Sequence, residues 1–228
     1  MDMTVVLVEI ENPGNLGAVA RTMANFNLKK LVLVNPKCSP GDIDALVRSK
    51  HASQILKNAK IAKSLGEVDA DYLVATTALL GTDYNIPRSP LTPEQLAKKA
   101  KQSSAKYAVV FGREGDGLTN SEILKCDFSV TIPCSAKYPT LNISHAASII
   151  FYELFKHSRE KKHGSHIAYA SKKEKDVLLG AVYGVVDKLQ FKTAGKKKTQ
   201  VIVWKRMIGK ANLTKREVFA LIGFFKKL

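Results

Sequence analysis

The chain has 228 residues, 45% of them hydrophobic and 25% charged, and its 36 Lys and Arg against 20 Asp and Glu give a net charge of +16. That composition supports a buried core, and no stretch approaches the ~18–20 consecutive apolar residues of a membrane-spanning helix. Cys38, Cys126 and Cys134 are scattered and form no CxxC pair, which argues against a disulfide framework or a zinc site and fits a reducing cytoplasm.

An apolar run from Thr4 to Ile10 reads as a buried strand over residues 3–10, and with no basic stretch before it no signal peptide is expected. Residues 13–21 follow as P-G-N-L-G-A-V-A-R. Asn15 stands where a helix N-cap belongs, with Val19, Met23 and Phe26 periodic behind it, so a helix is expected over 16–27. Gly14 and Gly17 would permit a tight strand-to-helix turn. Arg21, six residues beyond Asn15, can reach back toward that turn and grip a phosphate. A capped helix with a surface arginine accounts for the same residues equally well.

Further strands are expected at 30–35, 71–76, 106–111 and 128–132, and helices at about 42–56, 93–101, 120–125 and 141–157. Their alternation predicts an α/β domain with a mostly parallel sheet. Thr92-Pro93-Glu94-Gln95 is a helix start with a threonine cap, proline in the first position and a capping box.

Two later turns share the strand-then-special-turn layout of the first. In V-V-F-G-R-E-G-D-G-L at 109–118, Gly112 lets the backbone approach a ligand and Glu114 offers a carboxylate at the strand's C-terminal edge. The spacing matches neither a dinucleotide GxGxxG nor a P-loop, and a glycine-rich turn with a solvated glutamate is the plainer account. Residues 132–146 run from a strand end through an irregular loop into a long helix, with Thr140 and Asn142 near its start. Such a loop can wrap an adenine with backbone groups, or can simply cap the helix. His145 reads as packing or capping and Cys134 as a small buried filler.

Residues 157–170 lose periodicity and read as a linker. Three helices are expected beyond it, at roughly 171–191, 197–209 and 215–227, with a capping box from Thr214 to Glu217 and the basic run Lys196, Lys197 and Lys198 in a turn between helices. Residues 156–228 hold 19 Lys and Arg against 5 Asp and Glu, whereas the first 155 hold 17 against 15. A folded module this basic most often meets nucleic acid.

Taken together, the motifs resemble the SpoU (TrmH) class of the SPOUT methyltransferase superfamily: N-x-G-x-x-x-R as Asn15, Gly17 and Arg21; F-G-x-E-x-x-G-L as Phe111, Gly112, Glu114, Gly117 and Leu118; and I-P followed by T-L-N as Ile132, Pro133, Thr140, Leu141 and Asn142. Residues 205–217, K-R-M-I-G-K-A-N-L-T-K-R-E, look like the C-terminal extension of the TrmJ subgroup, which 2′-O-methylates position 32 of tRNA. The resemblance implies an α/β domain over 1–157 with a deep trefoil knot, a linker over 158–170, and a small all-α extension over 171–228 that binds tRNA through Lys196, Lys197, Lys198, Lys205 and Arg206. It implies S-adenosylmethionine (SAM) in a pocket of Thr76, Thr77, Ala78, Gly112, Ile132, Pro139, Thr140 and Leu141. Asn15, Arg21, Glu114 and Asn142 would be the catalytic set, with Arg21 arriving from the partner of a homodimer. One departure is that Thr76-Thr77-Ala78 is followed by Leu79-Leu80, where many TrmJ-like chains have an arginine.

The chemistry suits such a site. SAM carries its own activated methyl, so no metal is required, and the protein has to position and deprotonate a ribose hydroxyl. An arginine with a pKa above ~12 is an awkward general base and a better phosphate clamp. The implied activity is tRNA ribose 2′-O-methylation in the cytoplasm, most naturally at cytidine 32. An rRNA acceptor and a non-catalytic RNA-binding domain are the alternatives.

Overall fold

A computed structural model describes residues 2–78, 90–158 and 168–228, and among them forms one six-stranded sheet and nine α-helices. The order along the chain is β1 (Asp2–Val8), α1 (Pro13–Asn25), β2 (Lys30–Val34), α2 (Ile43–Ser49), α3 (Ser53–Lys57), β3 (Lys60–Ala62), β4 (Tyr72–Thr76), α4 (Pro93–Lys101), β5 (Lys106–Phe111), α5 (Asn120–Lys125), β6 (Phe128–Val130), α6 (Ile143–Ser158), α7 (Lys172–Lys188), α8 (Ala194–Lys210) and α9 (Lys215–Phe225). The strands lie in the order β3-β2-β1-β5-β4-β6, and every pairing is parallel.

The central strands are apolar on both faces because both faces are covered. In β1, Met3, Val5 and Leu7 point to one hydrophobic cluster while Val6 and Val8 point to the other, as the two-residue period of a strand requires. β5 repeats the pattern, with bulky Tyr107, Val109 and Phe111 on the first face and Ala108 and Val110 on the second. Helices α1, α4 and α6 cover the bulky face through Leu16, Val19, Leu96, Ile150 and Phe151. Leu65, Val68 and Ile123, the last from α5, cover the other. The chain steps outward from β1 to β3, crosses to β4, and returns to fill the gap with β5. The carboxyl ends of β5, β4 and β6 therefore lie side by side. Leu91, beyond β4, hydrogen-bonds to Ser129 and Thr131, so β6 sits between β4 and the chain that continues from β4.

Four expectations change here. β3 was not expected: it is three residues at the sheet edge, with Ile61 exposed and no period long enough to detect. The helix expected over 42–56 is broken, because Lys50 at φ 52° ends α2 before one 3-10 turn and α3. Helix α1 begins at Pro13 and is capped by Asn12, whose Oδ1 accepts from the Gly14 and Asn15 amides at 2.8 and 3.2 Å. Asn15 is thus in the first turn and its side chain is free for other work. Gly17 serves helix packing rather than a turn, since a Cβ there would overlap the Ala45 carbonyl of α2.

Helices α7, α8 and α9 build a separate small core of Leu178, Val182, Val186, Ile208, Val218 and Ile222, with Trp204 edge-on to Phe225 at 5.2 Å. Helix α8 starts earlier than expected because Thr193 caps it, accepting from the Lys196 amide at 3.3 Å, so Lys196, Lys197 and Lys198 lie inside its N-terminal end. Of the expected linker, residues 159–167 lie outside the described residues, while Ala168 and Ala170 pair with Lys215 and Leu213 and belong to the helical unit.

This unit docks on the amino end of the sheet. Gly209 packs so close that a Cβ would lie 2.7 Å from the Asp127 carbonyl oxygen. Lys99 of α4, buried, donates to the Lys210 carbonyl and, at 2.9 Å, to Asn212 Oδ1. Lys175, also buried, lies 3.0 Å from the ring centre of Tyr72. Burial lowers Lys99 to about 7 and Lys175 to about 8; Lys175 repels Lys99, while Asp127 attracts both.

Candidate active site

A pocket of about 300 Å³ opens over the carboxyl ends of β4, β5 and β6, the position where open parallel sheets bind ligands. Thr76, Thr77 and Ala78 reach it from the end of β4, Gly112 from β5, Ile132 from β6, and Pro139, Thr140 and Leu141 from the loop before α6. All eight residues expected around the cofactor thus line one cavity. Its apolar floor comes from Phe111 of the second motif and from residues the motifs did not single out: Val130, Ile143 and Ile150. They are core positions of strand and helix, and only the packing shows that they also face a cavity. Gly112 is required by the loop itself, because a Cβ would overlap Gly117 and the Leu118 nitrogen, while Gly117 adopts φ +67°.

Beside the pocket runs a chain of directed hydrogen bonds. Glu114, on the pocket wall, accepts from the backbone amides of Glu11 at 3.3 Å and Asn12 at 3.1 Å and from Asn15 Nδ2 at 3.3 Å. Asn15 Oδ1 accepts from Asn142 Nδ2 at 3.1 Å. Asn142 Oδ1 in turn accepts from the Ser144 amide at 2.9 Å and hydroxyl at 2.7 Å. A carboxylate only accepts, so Glu114 fixes which way the Asn15 carboxamide faces, and Asn15 does the same for Asn142. Three of the four expected catalytic residues are joined in this way, by bonds spanning 99 and 127 positions. Ser144 is a fourth member that the motifs did not flag.

The fourth expected residue stands apart. Arg21 is exposed on α1 and makes no internal hydrogen bond or ion pair among the described residues. Six residues along a helix turn it about 120° around the axis from Asn15, so it does not reach back to its own turn. Arg113 has the opposite fate. Its guanidinium grips Glu122 with two bonds of 3.0 Å and Glu9 with one of 3.1 Å, stapling the 113–117 turn to β1 and α5. These carboxylates raise Arg113 above its ordinary value; burial raises Glu122, but the Arg113 and Thr119 donors outweigh it and hold it below its usual range.

Two neighbours differ from expectation. Cys134 is exposed rather than buried, because the loop at 133–138 stands out into solvent. His145 is exposed in the first turn of α6, where its backbone amide rather than its ring bonds the Asn142 carbonyl at 3.0 Å. Of the five residues expected to face RNA, Lys196 and Lys198 are exposed and Lys197 pairs with Asp187 at 2.9 Å. Lys205 donates to the Leu124 carbonyl at 2.6 Å. Arg206 departs from the expectation: it is buried on the side of α8 that faces α5, where desolvation lowers it to about 10.

A parallel sheet with a pocket at the carboxyl ends of its off-centre strands, flanked by a Glu–Asn–Asn chain, defines an α/β domain with a small-molecule-sized site. Residues 2–152 match the family model described as the SpoU rRNA Methylase family, and the chain belongs to that family. It is 37% identical over 227 residues to the tRNA (cytidine-2′-O-)-methyltransferase TrmJ of Methanocaldococcus jannaschii, covering 98% of each chain. TrmJ from Z. mobilis shares the fold at TM-score 0.73 and 23% identity, over 100% of this chain and 99% of that one. An AdoMet-bound rRNA methyltransferase from Sinorhizobium meliloti shares it at TM-score 0.55 and 21% identity, over 70% of this chain and 57% of that one. Among the described residues no helix is long and apolar enough to cross a membrane.

Proposed function

We propose that the chain is a SAM-dependent tRNA ribose 2′-O-methyltransferase acting on cytidine 32 of the anticodon loop. One observation carries the reading: Glu114 is at once part of the pocket wall and the anchor of the Asn15–Asn142 chain, so a cofactor bound in the pocket would lie beside oriented polar groups. The +14 carried by residues 156–228 and the full-length likeness to a relative named for cytidine 2′-O-methylation support tRNA as the acceptor. That likeness extends over the helical unit, which favours tRNA over rRNA.

The pocket fits SAM in kind. It joins an apolar floor to threonine hydroxyls and exposed loop backbone, and its volume stands at the lower end of the ~300–1,000 Å³ of small-molecule sites. When bound, SAM supplies an electrophilic methyl group. Thr76, Thr77, Ala78, Gly112, Ile132, Pro139, Thr140 and Leu141 hold it and exclude water. Glu114 holds Asn15, and Asn15 holds Asn142, so that their remaining amide donors stay aimed while the ribose hydroxyl is placed. Arg21, which pairs with no carboxylate among the described residues, clamps a phosphate of the acceptor across a homodimer interface and lowers the pKa of the hydroxyl beside it. Exposed Ile149 and Tyr152 on α6, which packs against α1, are the apolar surface for that interface.

The pocket loops are read as a trefoil knot. What supports this is the placement of the later strand, β6, between β4 and Leu91, which follows β4 in the chain. Lys196, Lys197, Lys198 and Lys205 provide phosphate contacts with steep salt dependence. Three free cysteines fit a reducing, cytoplasmic setting.

The test is transfer of labelled methyl from SAM to a whole tRNA transcript, with the modified nucleotide mapped. A 2′-deoxy residue at position 32 should abolish incorporation; label that persists refutes the position, and no transfer to any tRNA refutes the activity.

A further inference from the structure

A second cavity, of about 220 Å³, lies between α5 of the catalytic domain and α8 of the helical unit. Leu124, Val201 and Ile202 form its apolar walls, and Lys198, Lys205 and Arg206 line it with them. No Asp or Glu is among the lining residues. Lys205 is fixed in place by the Leu124 carbonyl at 2.6 Å, which uses one of its three ammonium donors and leaves two. Lys198 is exposed and makes no internal hydrogen bond or ion pair among the described residues. Leu124 stays 37% exposed, so the apolar wall is open to an incoming group.

An apolar slot bordered by cations matches a group with a flat, weakly polar body and an anionic edge. Helical RNA does not present one, because its bases are stacked and paired; an unpaired nucleotide does. The volume lies below the range of pockets for drug-sized ligands and suits a single ring system. Lys196, exposed two residues before Lys198 in α8, continues the positive track for the adjoining phosphate.

From this geometry we infer that the α5–α8 cleft is a tRNA subsite which takes one unstacked nucleotide, its base against Leu124 and Ile202 and its phosphate on Lys198 and Lys205. The inference rests on the tRNA reading above and adds to it a contact made jointly by the two domains, remote from the SAM pocket. Such a contact would tell a tRNA with a splayed base from a plain duplex, which the lysines alone cannot do.

The experiment uses the full chain with Leu124 and Ile202 changed to glutamine, neither residue belonging to a hydrophobic core cluster. Binding is measured against a tRNA transcript and against a perfectly paired RNA duplex of equal length, over a salt series. The double variant should bind tRNA at least about fivefold more weakly, the low end of a single base contact, with its salt slope and its duplex affinity unchanged. Unchanged tRNA affinity, or equal loss for tRNA and duplex, overturns the subsite. On the unaltered chain, a 4-thiouridine-substituted tRNA should photocrosslink to peptides spanning 120–126 or 198–206. Crosslinks confined to other peptides overturn it independently of how the variant folds. Either failure leaves methyl transfer to tRNA intact, so it is distinguishable from failure of the proposed function.

Discussion

Replacing Glu114 by alanine and by glutamine separates its charge from its acceptor geometry. Oε1 takes two of the three bonds, from the Asn12 amide at 3.1 Å and from Asn15 Nδ2 at 3.3 Å; Oε2 takes only the Glu11 amide at 3.3 Å. These are long for bonds to a carboxylate, so each is worth nearer ~1 than ~3 kcal/mol. Alanine removes all three, and although water can satisfy the two backbone amides, Asn15 loses the group that sets its direction. Glutamine can put its oxygen where Oε1 stands and keep both of those bonds, losing only the Glu11 contact. Single-turnover methyl transfer to tRNA should therefore fall about tenfold or less in Glu114→Gln and about a hundredfold or more in Glu114→Ala, roughly 1.4 and 2.7 kcal/mol of barrier. SAM affinity, measured by calorimetry, should change far less than the transfer rate in both. If glutamine is as inactive as alanine while SAM still binds, the carboxylate acts through its charge and the positioning argument is wrong.

Arg21→Ala should abolish transfer while leaving SAM binding nearly intact. Mixing equal amounts of Arg21→Ala and Asn142→Ala chains under exchanging conditions should restore about one quarter of wild-type activity if the arginine serves the neighbouring site, and none if it serves its own. Gly112→Ala should lose SAM binding outright, because its Cβ has no room against Gly117 and Leu118; calorimetry showing wild-type affinity would contradict the packing. Gly17→Ala should destabilise the catalytic domain by ~1–3 kcal/mol in a urea titration, since α1 and α2 must separate to admit a methyl against Ala45. Lys99 and Lys175 are held at about 7 and about 8, below the ordinary 10.5, so from there up to 10.5 the unfolded chain binds more protons and stability rises with pH. Below about pH 7 both lysines are charged in either state and the burial cost is fully present. The urea midpoint should accordingly climb between about pH 7 and pH 9, and climb less in Lys99→Met; a falling midpoint would reverse the sign of the argument.

Much of this was legible along the chain because it is written in local chemistry. The buried strands are unbroken apolar runs, the helix starts of α4 and α9 are capping boxes, and the charge imbalance marks the helical unit by counting alone. Each cofactor-lining motif ends a strand, so a parallel sheet gathers them at one edge without any further information. The three-residue β3 and the break at Lys50 carry no period and depend on what packs around them. The sequence points to Asn15 as the cap; the tertiary structure gives that role to Asn12 and ties Asn15 to Glu114, 99 residues away. The same holds for Arg21 and Arg113. Sequence offers two arginines near two glycine turns, and only the fold clamps one between carboxylates and leaves the other exposed on a helix face. The order of apolar patterns and the distribution of charge along the chain determined that this protein has a parallel α/β core with a basic helical attachment. Which polar groups meet, and which charge stays exposed, is decided by contacts between residues far apart in sequence, and those form only when the sheet assembles.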